Sequence, residues 1–120
     1  QGLALNCSAL LGSSLGGHFP DLIGEDYKDA DGVFHLGLLS LPIVILKATE
    51  DELIQIRHNA LELVNTKCID LTNTSQEAKK YSELIQVASK TRFSAFKYMA
   101  LSLFGDSEEI GDLTRNLKLY

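Results

Sequence analysis

A continuous apolar run at residues 43–46, Ile-Val-Ile-Leu, constrains the fold of this chain more than any other feature of its sequence. The run has the length of a strand, follows Pro42, and lacks the alternation that a half-exposed strand shows. Thr49 and Glu52 come next with the T-x-x-E spacing of a capping box, which predicts a helix over 50–65. The pattern therefore predicts a strand covered on both faces and joined directly to an amphipathic helix.

The alternation of strand and helix continues along the chain. Residues 67–71 form a second apolar run that predicts a strand, and Thr74 with Glu77 provides another T-x-x-E capping box. The apolar positions after that box keep helical spacing, which predicts a helix over 75–89. Strands that alternate with amphipathic helices are typical of an α/β protein with a largely parallel or mixed sheet.

The two ends of the chain complete this pattern. Near-helical spacing of apolar residues predicts an opening helix over 2–15, and a long irregular loop is expected over 17–41. Bulky residues over 95–104 predict a third strand, after which Asp106 is placed to cap a short last helix. A chain of 120 residues has the size of one domain, so we expect a single α/β domain over 1–120.

Acidic residues outnumber basic ones by 16 to 11, which gives a net charge of −5. The first third of the chain is the most acidic part, because Lys28 is the only basic residue before Lys47. An acidic surface repels nucleic-acid phosphates, so nucleic acid is not expected as a partner. No apolar run reaches the length of a membrane span, so no membrane partner is expected either. The largest basic group is interpreted as solvated surface charge: Lys79, Lys80, Lys90, Arg92 and Lys97.

The spacing of cysteines and histidines argues against a metal or a cofactor. Cys7 and Cys68 lie far apart outside any CxxC or Cys/His pattern, and the three histidines show no HxH or HExxH spacing. Nucleotide and dinucleotide loop motifs are also missing. We therefore expect no metal and no cofactor. Nothing in the sequence resembles the charged and apolar regions of a signal peptide, so we expect a reduced, cytoplasmic protein with free thiols. Cys7 is expected to pack in the core, because no histidine lies near it in sequence to activate the thiol.

Asp70 is the strongest candidate for a functional side chain, because it is the one acid inside an apolar strand run. Open α/β proteins place ligands and catalysis where strands end, and Asp70 lies at such a position. The alternative is an ordinary turn function, in which Asp70 accepts hydrogen bonds from the backbone of Thr72 and Asn73. His35 is a second candidate on the long loop, although a lone loop histidine is more often structural.

Several segments together give the chain a resemblance to a known family. They are the opening Gly-Leu-Ala-Leu-Asn-Cys-Ser-Ala at 2–9, the strand and helix over 43–65, Asp70 at its strand end, and the closing segment 113–120. These segments resemble the archaeal and eukaryotic type of peptidyl-tRNA hydrolase. A bacterial branch of that superfamily, classed as a domain of unknown function, is more similar still. The motifs that carry this closer resemblance are Asp-Ala-Asp-Gly at 29–32 with His35, Asp-Leu-Thr at 70–72 and Leu-Phe-Gly at 103–105.

The resemblance implies a three-layer α/β/α sandwich around a four-stranded mixed sheet, with a first strand ahead of Gly2. The chain begins without that strand, so we expect residues 1–120 to lack an N-terminal first strand of the full protein. It carries over less of the activity, because the lysine that the true hydrolases place before the first helix corresponds here to Gly2. Their Asp-Ala-Gly-Arg-Thr becomes Asp-Leu-Thr-Asn-Thr at 70–74, which keeps the acid and loses the arginine. We therefore expect a peptidyl-tRNA-hydrolase-like module that binds a small ligand or a protein, without true peptidyl-tRNA hydrolase activity. The alternative is an altered hydrolase that acts on an ester or amide with Asp70 in its site.

One pocket is predicted for either function. Asn6 lies in the first turn of the opening helix, where free backbone N–H groups attract an anion or a carbonyl oxygen. We expect Asp70 to be the catalytic residue if the protein is a hydrolase, and Asn6, His35 and Thr72 to bind the ligand. The expected partner is a small molecule or a protein. A homodimer through the face of helix 75–89 stays open, because no sequence feature decides it.

Overall fold

The structure is a computed structural model that describes residues 2–120. This part of the chain consists of short antiparallel strand pairs and flanking helices. The helices are α1 (Gly2–His18), α2 (Glu50–Ala60), α3 (Asn73–Glu77), α4 (Tyr81–Ser89) and α5 (Ser107–Thr114). The strands are β1 (Tyr27–Lys28), β2 (Phe34–His35), β3 (Leu46–Lys47), β4 (Thr66–Thr72), β5 (Tyr98–Gly105) and β6 (Lys118–Leu119). Single turns of 3-10 helix lie at Pro20–Leu22 and Phe93–Ala95.

The longest strands, β4 and β5, pair into a ribbon around which the rest of the chain is arranged. Their register runs from Thr66 opposite Gly105 to Thr72 opposite Tyr98, with a bulge between Leu71 and Thr72. Both strands had been expected from their apolar runs, and the structure confirms them as strands. A bulge leaves one residue unpaired and turns the strand locally. It therefore changes the direction of the chain at the end of β4, where α3 begins.

Helices α1 and α2 each pack against both strands of the ribbon. Arg57 of α2 contacts Asp70, whereas Phe19, directly after α1, packs on Phe104 with 4.8 Å between the ring centroids. Phe104 lies opposite Lys67, and positions 67 and 70 face opposite sides of the strand because side chains alternate. Asp70 therefore faces α2, on the side of the ribbon opposite Phe19.

The prediction of a four-stranded mixed sheet in a three-layer sandwich is wrong. Within residues 2–120 the strands pair only in twos, as β1–β2, β3–β6 and β4–β5, and every pair is antiparallel. The run at 43–46 was expected to be a covered central strand, but Ile43, Val44 and Ile45 are exposed and only Leu46–Lys47 pairs, with β6. A continuous apolar run makes a covered strand only where neighbouring strands lie beside it. Here the run has one partner over two residues, so no central strand forms.

The first two helices follow the prediction closely. Helix α1 covers the expected residues and continues to His18. Helix α2 begins where expected, with both hydrogen bonds of the Thr49–Glu52 capping box present. It ends at Ala60 rather than at residue 65, because the chain tightens there into i,i+3 hydrogen bonds such as Leu61 N–H to His58 O.

The predicted helix over 75–89 is two helices, α3 and α4. The chain is extended at Ala78 and Lys80, which separates them. The capping box before α3 also lies earlier than the sequence indicated. Thr72 accepts a hydrogen bond from the Ser75 backbone, and the Ser75 hydroxyl is paired with the Thr72 backbone in return.

Residues 24–38, here called the arm, form a hairpin where an irregular loop was expected. Strands β1 and β2 pair Tyr27 with His35, and their rings stack at 5.2 Å between centroids. At the tip, Asp29 Oδ1 accepts hydrogen bonds from the backbone N–H groups of Asp31 and Val33. The arm therefore has a defined conformation.

Backbone contacts between the two ends of the arm fix its base. Ile23 and Leu39 form an isolated antiparallel bridge, and the Gly37 N–H donates to Asp26 Oδ1 at 2.8 Å. A Cβ atom at Gly37 would lie 1.8 Å from the Gly24 carbonyl oxygen, so the two backbones approach as closely as they do only because residue 37 is glycine.

The buried side chains are few and concentrate on α1, α2 and the ribbon. The buried apolar residues are Cys7, Leu15, Ile56, Ala60, Leu71 and Tyr98, and Thr66 and Thr72 are buried with them. The burial of Cys7 agrees with the packing role expected for it. No helix within the described residues has both the length and the apolar character needed to cross a membrane.

Candidate functional site

An ion pair between α2 and β4 is the centre of the candidate site. The Nε of Arg57 donates to Oδ2 of Asp70 at 2.8 Å, and the two side chains are 18% and 31% exposed. Helix α2 places Arg57 beside the buried Ile56, on the face toward the ribbon, and the alternation of β4 places Asp70 on the same face. Two opposite charges at this distance in partly desolvated surroundings attract each other more strongly than an exposed pair.

Aromatic side chains lie beside this ion pair and border a small, partly open cavity. The cavity has a volume of about 110 Å³ and is lined by Arg57, Asp70, Phe93, Phe96 and Tyr98. The guanidinium carbon of Arg57 lies 5.5 Å from the centroid of the Phe93 ring, which is the geometry of a cation–π contact. The cavity therefore contains an ion pair and is lined on its other sides by aromatic rings.

A buried histidine nitrogen lies against the same aromatic wall. The His58 ring stacks on Phe93 with 4.6 Å between centroids. Its Nε2 is buried and has no hydrogen-bond partner among the described residues. Buried polar atoms without a partner are uncommon, because losing hydration without replacement costs free energy.

The groups near Asp70 that could act as nucleophiles are held in their neutral forms. Burial raises the pKa of the Cys68 thiol to about 11, with Arg57 lowering it and Asp70 raising it by smaller amounts. Burial also raises the pKa of the Tyr98 phenol above its usual value, with the same opposing effects of Arg57 and Asp70. A thiolate rather than a thiol is the reactive form of cysteine, so Cys68 is not an activated nucleophile here.

The structure places two of the sequence-predicted site residues close to this cavity. Asp70 lines it directly. Thr72 lies opposite Tyr98 across the ribbon, but its hydroxyl is taken up in capping α3 with Ser75. The turn function considered for Asp70 is not what is observed, since its hydrogen bond is to the Arg57 side chain.

The other two predicted residues have different surroundings. Asn6 is exposed on α1. His35 is exposed on the arm, where its Nε2 lies 2.9 Å from Oδ2 of Asp29. No hydrogen bond or ion pair within residues 2–120 joins Asn6 or His35 to Asp70. The convergence of all four residues on one pocket stays a prediction.

The sequence analysis missed Arg57, Phe93, Phe96 and Tyr98. One signal for Arg57 was present, because a carboxylate inside an apolar strand needs a cationic or N–H partner once it is partly buried. Helix α2 offers one arginine, immediately after an inward-facing isoleucine. The aromatic residues carried no such signal, since Phe96 and Tyr98 had been attributed to the strand over 95–104 and Phe93 lay outside every predicted element.

A second concavity of about 250 Å³ lies between α2 and α5, with Asp51, Glu52 and Gln55 on one side and Leu113 and Leu117 on the other. It is wide and open, and among the described residues no ion pair and no buried polar atom without a partner lies in it. Within residues 2–120 no three potential metal ligands come close enough together to hold an ion. The Arg57–Asp70 cavity is therefore the better-defined candidate site.

Comparison with known proteins identifies the family. A family model described as "Protein of unknown function (DUF2000)" matches residues 1–120. The chain belongs to the DUF2000 family. A solved structure titled as a protein of unknown function, Atu0240 from Agrobacterium tumefaciens strain C58, is similar to this DUF2000 chain with a TM-score of 0.84 and 23% identity. The match covers 98% of this chain and 86% of that one, and at this identity it shows a shared fold.

The search of curated proteins found no match. The expected resemblance to an uncharacterised bacterial domain agrees with the DUF2000 assignment. Neither the family description nor the similar structure mentions peptidyl-tRNA hydrolase, so that part of the resemblance stays a prediction.

Proposed function

We propose that this DUF2000 chain binds a small molecule at the Arg57–Asp70 cavity through a group that carries a hydrogen-bond acceptor beside a donor, such as a primary amide. The observation that supports this is the incomplete pairing of the two charges. Arg57 uses only Nε and Asp70 uses only Oδ2 in hydrogen bonds within the described residues. The Nη groups of Arg57 are thus left to donate and the Oδ1 of Asp70 to accept.

The charge and size of the cavity limit which chemical groups it can bind. Arg57 and Asp70 cancel each other's charge, so a neutral donor–acceptor group complements the site better than a phosphate does. A volume of about 110 Å³ is well below the roughly 300–1,000 Å³ of pockets that enclose a whole drug-sized ligand. It holds one functional group, and the rings of Phe93 and Phe96 offer apolar surface to the part of the ligand beside it.

Binding without chemistry is favoured over hydrolysis by the state of the neighbouring groups. Cys68 and Tyr98 are held neutral by burial, and the hydroxyl of Thr72 is engaged in a helix cap. Nucleophilic catalysis needs a nucleophile activated by a base, a lowered pKa or a metal. These three side chains supply none of those conditions.

An altered hydrolase remains the second candidate, because Asp70 borders the cavity and could orient a water molecule. Its test is turnover of an amide or ester substrate, including peptidyl-tRNA, with wild type and Asp70→Asn. The binding proposal expects no turnover above the uncatalysed rate. A rate well above it that Asp70→Asn abolishes would establish the hydrolase instead.

The binding proposal is tested by an NMR titration of the ¹⁵N-labelled protein with benzamide and with N,N-dimethylbenzamide. The two probes have the same ring and carbonyl, but only benzamide has N–H groups for Asp70. We expect benzamide to shift backbone signals of Asp70 and residues 93–98, and the dimethyl compound to shift them much less. Native mass spectrometry of the purified protein complements this by identifying any bound molecule.

Two double variants distinguish an effect of the Arg57–Asp70 pair on binding from a general effect of removing an arginine–aspartate pair. Arg57→Met with Asp70→Asn removes both charges of the site together. Arg115→Met with Asp112→Asn removes an exposed arginine–aspartate pair on and just after α5. We expect the first double variant to lose the benzamide shifts and the second to keep them. Equal responses to both probes, or shifts that survive loss of Arg57 and Asp70, would contradict the proposal.

A further inference from the structure

The chain exposes much more surface than a monomer of its size. Its accessible surface is 8957 Å², whereas a folded monomer of 13.2 kDa exposes about 6,400 Å². Its radius of gyration is 16.4 Å, against about 14 Å for a compact domain of this length. The excess of roughly 2,500 Å² exceeds the roughly 800 Å² that each partner buries in a standard interface.

Part of this excess is apolar surface on the arm. Phe34, Leu36 and Leu38 are 68%, 81% and 75% exposed, and Val33 is exposed beside them. The arm is nevertheless ordered, by the Tyr27–His35 stack and by the hydrogen bonds that converge on Asp29. A preformed apolar surface loses little conformational entropy when it docks, which favours its use in an interface.

A second exposed apolar surface lies on α4. Tyr81 and Ile85 are 76% and 58% exposed, and their i,i+4 spacing puts them on one face of the helix. Val87 is also exposed. We call residues 79–97, which contain α4 and the chain on both sides of it, the α4 segment.

The charges of the arm and of the α4 segment are opposite. The arm carries Glu25, Asp26, Asp29 and Asp31 against Lys28, a net charge of −3 with histidine neutral. The α4 segment carries five basic residues against Glu83 alone, a net charge of +4; the five are Lys79, Lys80, Lys90, Arg92 and Lys97. Complementary charge steers two surfaces together and fixes their register, while apolar contact supplies most of the affinity.

We propose that the chain forms a two-fold homodimer in which the arm of each copy docks on the α4 segment of the other. Two-fold symmetry requires each contact to occur twice, so two complementary surfaces on one chain can satisfy each other in a closed pair. The exposed rings and aliphatic side chains of the arm meet the Tyr81 and Ile85 face. The acidic residues beside them meet the lysines. The proposed contacts use neither Arg57 nor Asp70. Phe93 and Phe96, which line the ligand cavity, belong to the α4 segment but lie beyond α4 and its Tyr81 and Ile85 face.

The experiment uses charge reversal on the two surfaces, with mass measured by light scattering after size exclusion. One variant carries Glu25→Lys and Asp31→Lys, and the other carries Lys80→Glu and Lys90→Glu. All four side chains are exposed and none lines the Arg57–Asp70 cavity. We expect the wild type to be a dimer. The first variant sets an arm of net charge +1 against an α4 segment of +4, and the second leaves an arm of −3 against an α4 segment of net charge 0. We therefore expect the dimer dissociation constant of each variant to rise about 30-fold or more.

Mixing the two variants is the decisive step. In the mixture the unaltered arm of one chain meets the unaltered α4 segment of the other, −3 against +4, and the second contact joins an arm of net charge +1 to an α4 segment of net charge 0. We therefore expect a dimer to form again, and mass spectrometry to find one chain of each kind in it. Phe34→Asp should weaken the dimer as well, whereas Val64→Asp, at a valine that is 81% exposed and lies outside both surfaces, should leave it intact. A monomeric wild type, or a dimer that none of the arm and α4 variants affects, would overturn the proposal.

Discussion

Removing Arg57 tests how strongly the Arg57–Asp70 pair holds α2 to the ribbon. Arg57→Met keeps most of the side-chain volume but leaves the Asp70 carboxylate, 31% exposed, without its partner. An exposed ion pair contributes about 0–1 kcal/mol, and breaking a buried one costs about 3–5 kcal/mol. The partial burial of this pair places the expected loss of unfolding free energy between these ranges, at about 2 kcal/mol. Loss of the contact with the Phe93 ring adds up to about 1 kcal/mol.

Urea unfolding of a double-mutant cycle measures this cost. The cycle comprises the wild type, Arg57→Met, Asp70→Asn and the double variant, and the coupling free energy comes from their differences. A loss of about 2 kcal/mol lowers the urea midpoint by about 1 M for a chain with a typical slope. The double variant should lose less stability than the sum of the two single variants, because it leaves no unpaired charge. A coupling free energy below about 0.3 kcal/mol would refute the reasoning, since additive effects mean that the pair acts as two independent surface charges.

Three further predictions concern the arm and the half-buried thiol of Cys68. Gly37→Ala should disorder the base of the arm, because its Cβ would lie 1.8 Å from the Gly24 oxygen. An NMR spectrum should then show less chemical-shift dispersion for the arm residues, and an unchanged spectrum would contradict the prediction. The hydrogen bond from His35, the largest of several, lowers the pKa of Asp29 below its usual value in the folded protein. The stability that this carboxylate contributes is therefore fully present above its pKa in the unfolded chain. It is lost as the pH falls through the lower pKa of the folded protein. An NMR titration of the Asp29 carboxyl should find its midpoint below 3.8, and His35→Gln should raise it. Cys68, with a pKa raised to about 11, should react with iodoacetamide only slowly at neutral pH and faster as pH approaches 11, as followed by peptide mapping; rapid reaction at pH 7 would show that the thiol is not buried as described.

The sequence predicted the elements whose determinants are local. The Thr49–Glu52 capping box depends on residues three apart, and its two hydrogen bonds form as expected. The apolar runs of β4 and β5 likewise became strands. Residues 43–46 were interpreted wrongly because coverage by neighbouring strands is a non-local property that a run of four apolar residues does not determine. The extended chain at Ala78 was missed because helical spacing continues on both sides of it.

The candidate site was predictable only in part for the same reason. Asp70 was recognisable because an acid in an apolar run is unusual, and it does border the cavity. Its partner Arg57 lies 13 positions away on a helix, and the aromatic residues lie more than 20 positions beyond Asp70, so only the fold brings them together. The surroundings found for Asn6 and His35 show the limit of assigning residues to a site from their position near strand or helix ends.

The pairing of β3 with β6 has a consequence for the motions of the molecule. Two residues at each side, with the Tyr120 N–H donating to the Ile45 oxygen beside them, close a loop that contains most of the chain. Closing so long a loop costs entropy, and few hydrogen bonds here offset that cost. Regions with few contacts open far more often than the rest of a protein, without global unfolding. The amide hydrogens of Lys47 and Leu119 should therefore exchange with solvent much sooner than those of β4, and each opening would release residues 118–120 from the segment that connects the arm to α2.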